Sequence, residues 1–406
     1  MQIRSITTFI HPRWPISEIT MQKIGIFVRH AKEAFEAAGY PVQTLRLASP
    51  PFPDFLDIND LPDFTARLEM LVHSEGFEYV SLGPAQPGKP ESYSAIPDLL
   101  KGSSIAFFSG HLTTPDGKVS LPAVRACAEV IHRSAPLEKN GFANLRFAAL
   151  ANVPPLAPFF PAAYHHGKES AFALAVEAAD LAVDAFSRAD SLEDARKRLI
   201  DSIEIHASRL EAQGEKLSKI YPVSFKGIDF TLAPFPKPEC SLGHALEALG
   251  LPGFGLSGSL AAAAFLTDTL DRATFKRTGF NGLMLPLLED STLARRGAEG
   301  VLSVTDLLMF SAVCGTGLDT IPLPGDTTVD QLQAVLLDLA ALSSRLNKPL
   351  TGRLMPIPGF KAGDETKFNF DYFANSRVLS LPAEPLTGLL AGSEEMDISP
   401  RESRSS

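Results

Sequence analysis

The chain has 406 residues, 45% of them hydrophobic and 21% charged, with a formal net charge of −10. This is a globular balance, and an acidic chain without a block of like charge argues against a nucleic-acid partner. Three cysteines, Cys127, Cys240 and Cys314, lie far apart and form no C-x-x-C pair, which argues against a disulfide framework and a ribbon-type zinc site.

The opening MQIRSITTFI lacks the charged leader, apolar stretch and cleavage site of a signal peptide. It reads as a strand over 3–10. Ser17 caps a helix over about 18–38 that Gly39 ends. PVQTLRLA (41–48) is a strand, DFTARLEMLVHSEG (63–76) a helix, and FEYVSLG (77–83) and SSIAFFSG (103–110) are strands. Ser120 and Pro122 open a helix to about 134. LRFAALANV (145–153) is a strand, followed by helices over about 168–187 and 192–219, the second with Ser191 and Asp194 in capping-box spacing. GIDFTLAP (227–234) is a strand, SLGHALEALG (241–250) a short helix, 258–272 a helix and GLMLPLLE (282–289) a strand. Helices over 303–313 and 328–346 flank CGTGLDTIPLP, and PLTGRLMPIPG (349–359) and SRVLSLP (376–382) are late strands. About ten strands alternating with helices predict an α/β fold with a largely parallel sheet, open or closed into a barrel. The last residues, 391–406, are polar, lack aromatics and read as a disordered tail. No run approaches the roughly 18 apolar residues of a membrane span, so the expectation is a soluble, cytoplasmic protein without a membrane partner.

Chemistry is expected in three places. FFPAAYHHGKES (159–170) sets His165 and Glu169 four residues apart. A helix starting near His165 would put both on one face of its first turn, at a strand-to-helix junction of the kind that binds ligands in parallel α/β folds. Histidine suits proton transfer, and Glu169 would orient the ring or share a metal with it. The competing reading is a solvated helix start with a dipole-favoured glutamate. His166 reads as a neighbour. In AVCGTGLDTIPLPGDT (312–327), Cys314 precedes Gly315 and Gly317, whose backbone would approach a ligand or hold an anion. The thiol is a candidate catalyst, against the alternative of a small buried cysteine. Asp319, entering a strand, is a candidate base or metal ligand. Lastly, Arg4, Arg46 and Arg353 lie in apolar strand patterns, where a charge is expensive unless paired. Guanidinium forks grip carboxylates or phosphates, so these are the candidate substrate-binding residues for an anion. The alternative is salt bridging within the protein. GLPGFGLSGS (250–259) is only a partial G-x-G-x-x-G without a Rossmann context, and the chain has no P-loop, G-x-S-x-G, H-E-x-x-H or EF-hand. No nucleotide cofactor is expected.

The segments IRSIT, AYHHGKE, IDFTLAPFP, FSAVCGTGLDTIPLPGDT and GRLMPIP occur in this order over about residues 2–380. In this the chain resembles the bacterial and archaeal family called domain of unknown function 711, most specifically over 314–327. The resemblance implies a barrel of the pyruvate formate-lyase type: ten strands, helices outside, a loop inserted into the barrel, and one large domain over 1–390. It carries no assigned activity. On matching positions it includes Arg4, Arg46, His165, Glu169, Cys314, Asp319 and Arg353, whereas His166 replaces a small residue. The region 364–376 departs from a glycine-rich stretch in relatives. Glycyl-radical enzymes of that fold carry R-V-x-G-Y, but SRVLSLP has Leu379 and Ser380 there, so radical chemistry is not expected.

The resulting expectation is a non-radical lyase or isomerase acting on a small anionic metabolite. The arginines hold the anion, His165 transfers a proton with Glu169 orienting it, and Cys314 and Asp319 supply a second acid or base. The alternatives are a metal-dependent enzyme holding a divalent ion with His165, Glu169 and Asp319, and a non-catalytic sensor of an amino acid or organic acid. Base rates favour a homodimer.

Overall fold

The computed structural model describes residues 1–313 and 315–400. In chain order its elements are β1 (Gln2–Phe9), α1 (Glu18–Ala37), β2 (Val42–Ala48), α2 (Leu61–Ser74), β3 (Tyr79–Ala85), α3 (Pro90–Gly102), β4 (Ala106–His111), β5 (Val119–Ser120), α4 (Leu121–Ser134), β6 (Phe147–Ala151) and β7 (Ala171–Glu177). There follow α5 (Ala179–Ser187), α6 (Leu192–Ile220), β8 (Ser224–Ala233), α7 (Leu242–Ala248), α8 (Ser259–Arg272), α9 (Ser291–Ala298), α10 (Val304–Phe310), β9 (Gly317–Pro324), α11 (Val329–Leu346), β10 (Leu350–Ile357) and β11 (Glu395–Met396).

Among the described residues, nine strands form one sheet in the order β8-β7-β1-β2-β3-β4-β6-β10-β9. The middle five, β1 to β4 and β6, are parallel. The pairs β7–β8 and β9–β10 are parallel within themselves but antiparallel to the middle block. The ten-stranded closed barrel is not what is found: no closed barrel is detected, because β8 and β9 do not pair with each other. One segment, 276–288, touches both. Ile228 of β8 bridges Arg277, and Asp319 of β9 bridges Pro286. Arg4 of β1 and Arg353 of β10 lie five strand spacings apart in the sheet order, roughly 24 Å if the sheet were flat, yet both bond Glu289. The sheet therefore curves. The strand expected over 282–289 lies on the segment that touches both edges and is reduced to that single bridge, at a proline with no N–H to give a ladder. Asp229 of β8 anchors the segment, accepting from the amides of Phe280 (2.7 Å) and Asn281 (2.9 Å).

Helix formation follows local signals. Ser17, Ser120, Ser191 and Thr328 each accept a backbone N–H at the start of α1, α4, α6 and α11. The helix expected over 168–187 is instead β7 followed by α5. All seven residues of β7 are buried, so the alternation that marks a half-exposed strand is missing, and its alanines imitate a helix. The late strand expected at 376–382 keeps only the bridge of Arg377 to Glu365.

The main group of buried apolar side chains runs from Ile3 to Leu379 and joins the sheet to its helices. A smaller group, with Phe9, Ala48, Phe160, Ala163, Ala171 and Ala173, joins the sheet to the loop between β6 and β7. Polar residues on these strands serve that loop. Thr7 Oγ donates to the Pro158 carbonyl (2.8 Å) and Ser81 Oγ to that of Ala163 (2.7 Å). Residues 394–399, expected within the disordered tail, have partners: Glu395–Met396 pairs with β5, the Leu121 amide donates to the Glu394 carbonyl, and Arg345 donates to the Ser399 carbonyl (2.8 Å). Among the described residues no helix is long and apolar enough to cross a membrane.

Candidate functional site

Side chains from six strands meet in one cavity of about 130 Å³, Phe107 coming from β4. Arg4 comes from β1, Arg46 from β2, Tyr79 from β3, Asp319 from β9 and Arg353 from β10, and the turn before α9 adds Glu289. Phe159 and Phe160, from the loop between β6 and β7, and Met284 line its apolar part. Phe370, Tyr372 and Phe373, from the segment after β10, complete the lining. A single water needs about 10–15 Å³ by this measure, so the space suits a small organic molecule.

Glu289 organises the charged end. Arg4 Nη2 donates to its Oε2, and Arg353 Nη2 to its Oε1 at 2.7 Å. Arg353 Nε also donates to Asp319 Oδ1, and Arg4 Nη1 lies 3.7 Å from Glu177 Oε2. Glu289 owes its position to its neighbour. Asp290 is fully buried and accepts from the amides of Leu242 (2.7 Å) and Thr292 (2.9 Å), at the starts of α7 and α9. One carboxylate thus caps two helices and holds the preceding residue toward the cavity.

The two carboxylates differ. Burial pushes Glu289 upward, but Arg4 and Arg353 outweigh it and hold it below the usual range. Asp319 is raised, because burial, with the nearby charge of Glu289, exceeds what Arg353 returns. Of the two, Asp319 is the one that takes a proton more readily.

Arg46 stands apart from the other arginines. It makes no ion pair among the described residues; its Nε donates to Thr44 Oγ1 at 2.9 Å. Its guanidinium lies over two rings, 5.2 Å from the centroid of Phe160 and 5.8 Å from that of Tyr79. Burial, with Arg4 nearby, lowers its pKa to about 9.

The other expected site residues lie elsewhere. His165 is buried at 2% exposure, with its amide donating to the Ser49 carbonyl (2.8 Å), beside Phe9. Neither ring nitrogen has a hydrogen-bond partner of normal geometry, and burial lowers its pKa to about 4. The helix that would have paired it with Glu169 does not form: 165–169 is loop, and Glu169 and His166 are exposed. His165, Glu169 and Asp319 do not gather as ligands, and no group of three His, Cys, Asp or Glu suited to a metal occurs among the described residues. Gly315 and Gly317 do not line the cavity; their need for glycine is backbone packing. A Cβ on Gly315 would stand 2.2 Å from the Gly282 Cα, and one on Gly317, at φ +95°, 2.4 Å from the Thr351 carbonyl oxygen. Cys314 lies outside the described residues. Sequence reasoning missed Glu289 and the aromatic walls. The signal for Glu289 was indirect, since three arginines on covered strands require counter-charges from somewhere.

A family model described as Uncharacterised ACR (DUF711) matches residues 1–373. A UPF0210 protein from Pyrobaculum aerophilum is 35% identical over 302 residues, covering 71% of this chain and 65% of its own length. One from Pyrobaculum arsenaticum is 31% identical over 355 residues, 82% of this chain and 78% of its own. One from Methanosarcina barkeri is 26% identical over 360 residues, 84% and 80% respectively.

Proposed function

We propose a function for this chain, which belongs to the family described as Uncharacterised ACR (DUF711): it is an enzyme of lyase or isomerase type that binds a small organic anion against Arg46 and moves a proton on it through Asp319. The observation that carries the reading is Arg46. Arg4 and Arg353 direct their forks at Glu289 and Asp319. Arg46 has no carboxylate among the described residues, yet it lies on the same cavity wall. A half-buried guanidinium against aromatic rings without a counter-ion is costly, and an anionic ligand supplies the missing charge. The proton role of Asp319 rests on two neighbouring carboxylates whose environments push their pKa values apart, an arrangement that separates a fixed anion from a proton carrier. Asp319 lines the same cavity as Arg46 and on this reading exchanges a proton with the bound molecule directly.

The test is native mass spectrometry of the purified protein for a retained small organic acid, repeated on two variants. Arg46→Ala is expected to lose the ligand. Asp319→Asn is expected to keep it and to lower turnover, once a substrate is in hand, by about 10²- to 10⁴-fold, the usual worth of a positioned acid or base. A ligand retained at full occupancy by Arg46→Ala rules the reading out.

A further inference from the structure

The cavity narrows the class of anion, on the reading just proposed. Its lining presents three guanidinium groups, Arg4, Arg46 and Arg353, against two carboxylates, Glu289 and Asp319. Behind Arg4, Glu177 adds a further carboxyl, itself raised by burial and held by Gln2 and Gln43. With Glu289 and Asp319 ionised and Glu177 neutral, the three guanidinium groups leave one positive charge for a ligand to neutralise. A phosphate or sulfate dianion would leave buried negative charge facing Glu289 and Asp319. The geometry of Arg46 agrees. Its flat face is engaged by Phe160 and Tyr79 and its Nε by Thr44, so a partner meets the remaining in-plane N–H edge, where a planar carboxylate forms two parallel bonds. The rest of the lining is largely aromatic and apolar, with Phe107, Phe159, Phe370 and Phe373 and Met284. Rings of this kind prefer offset or edge-to-face contact with another flat group.

We propose that the ligand is a monocarboxylate with a flat, apolar body: its carboxylate sits bidentate on Arg46 and its body lies among the phenylalanines. Phosphorylated metabolites and short aliphatic acids are then poor ligands.

The full chain would be titrated calorimetrically near neutral pH with benzoate, acetate and inorganic phosphate. Arg46→Ala and Arg46→Lys would be run beside it, each first checked for a native-like melting temperature. Benzoate is expected to bind at least about tenfold more tightly than either comparator, and both variants to lose about tenfold or more, because an ammonium lacks the fork. Phosphate binding as tightly as benzoate, in an Arg46-dependent way, overturns the carboxylate class and leaves the anion-binding reading standing. Acetate matching benzoate overturns the flat apolar body in the same way. If none of the three binds through Arg46, the anion-binding reading falls as well.

Discussion

Glu289 holds two arginines that come from opposite ends of the chain, Arg4 and Arg353. Its removal leaves both guanidinium groups buried with less compensation than before. Breaking such a pair from one side costs about 3–5 kcal/mol, so Glu289→Ala is expected to lower the urea-unfolding free energy by that order, and Glu289→Gln, which can still accept hydrogen bonds, by less. A loss under about 1 kcal/mol, the worth of an exposed pair, would mean that the network is wet and not buried. The arginines themselves were legible in the sequence, because a charge inside an apolar strand pattern needs an explanation. Glu289 was not: it ends the apolar run GLMLPLLE, and its role depends on strands 285 and 64 residues away meeting it in space. Gly315 and Gly317 were misread because glycine serves close approach of backbone to backbone and of backbone to ligand equally well, and spacing does not distinguish the two.

At the level of elements, the loop between β6 and β7 behaves as an inner strap. It is tied by hydroxyls of β1 and β3 and carries the buried His165. That ring titrates near pH 4 in the folded chain against about 6.5 when unfolded. Between those values the unfolded chain binds more protons, so this residue's effect makes stability rise with pH across the window, and acidification below about 6.5 progressively removes it. Burial is the main cause of that lowering, opposed by the Glu169 backbone, which favours the charged ring, while His11, His166 and Lys226 disfavour it. His165→Phe is expected to lose less unfolding free energy than the parent between pH 7 and pH 5 in urea titrations. Equal losses would show that His165 is solvated or partnered when protonated. The strap's ends were readable and its course was not, because β7, buried on both faces and rich in alanine, lacked the period that separates strand from helix. The strand patterns of β1, β2, β4 and β10 were legible for the opposite reason, being short apolar runs with β-branched or aromatic residues between turn signals.

Across the whole molecule, alternation of strands and helices was enough to anticipate an α/β sheet, but not the reversal of its outer strand pairs. Reversal leaves no local mark, since a strand reads alike in either direction. The curvature likewise shows only in long-range bonds, such as those of Glu289 to Arg4 and Arg353. The segment 276–288 has a consequence for behaviour in concentrated solution. Unpaired edge strands are templates for pairing with other copies, and here one stretch of chain touches both edges. Asp229 clamps it from a fully buried position. Asp229→Ala is expected to loosen the segment and to give light scattering that grows with protein concentration on mild warming, whereas a variant that leaves the clamp intact, such as Glu169→Ala in the exposed loop, stays clear. Self-association at the two edges of this fold is thus opposed by one shared stretch of chain, so that what loosens it acts on both.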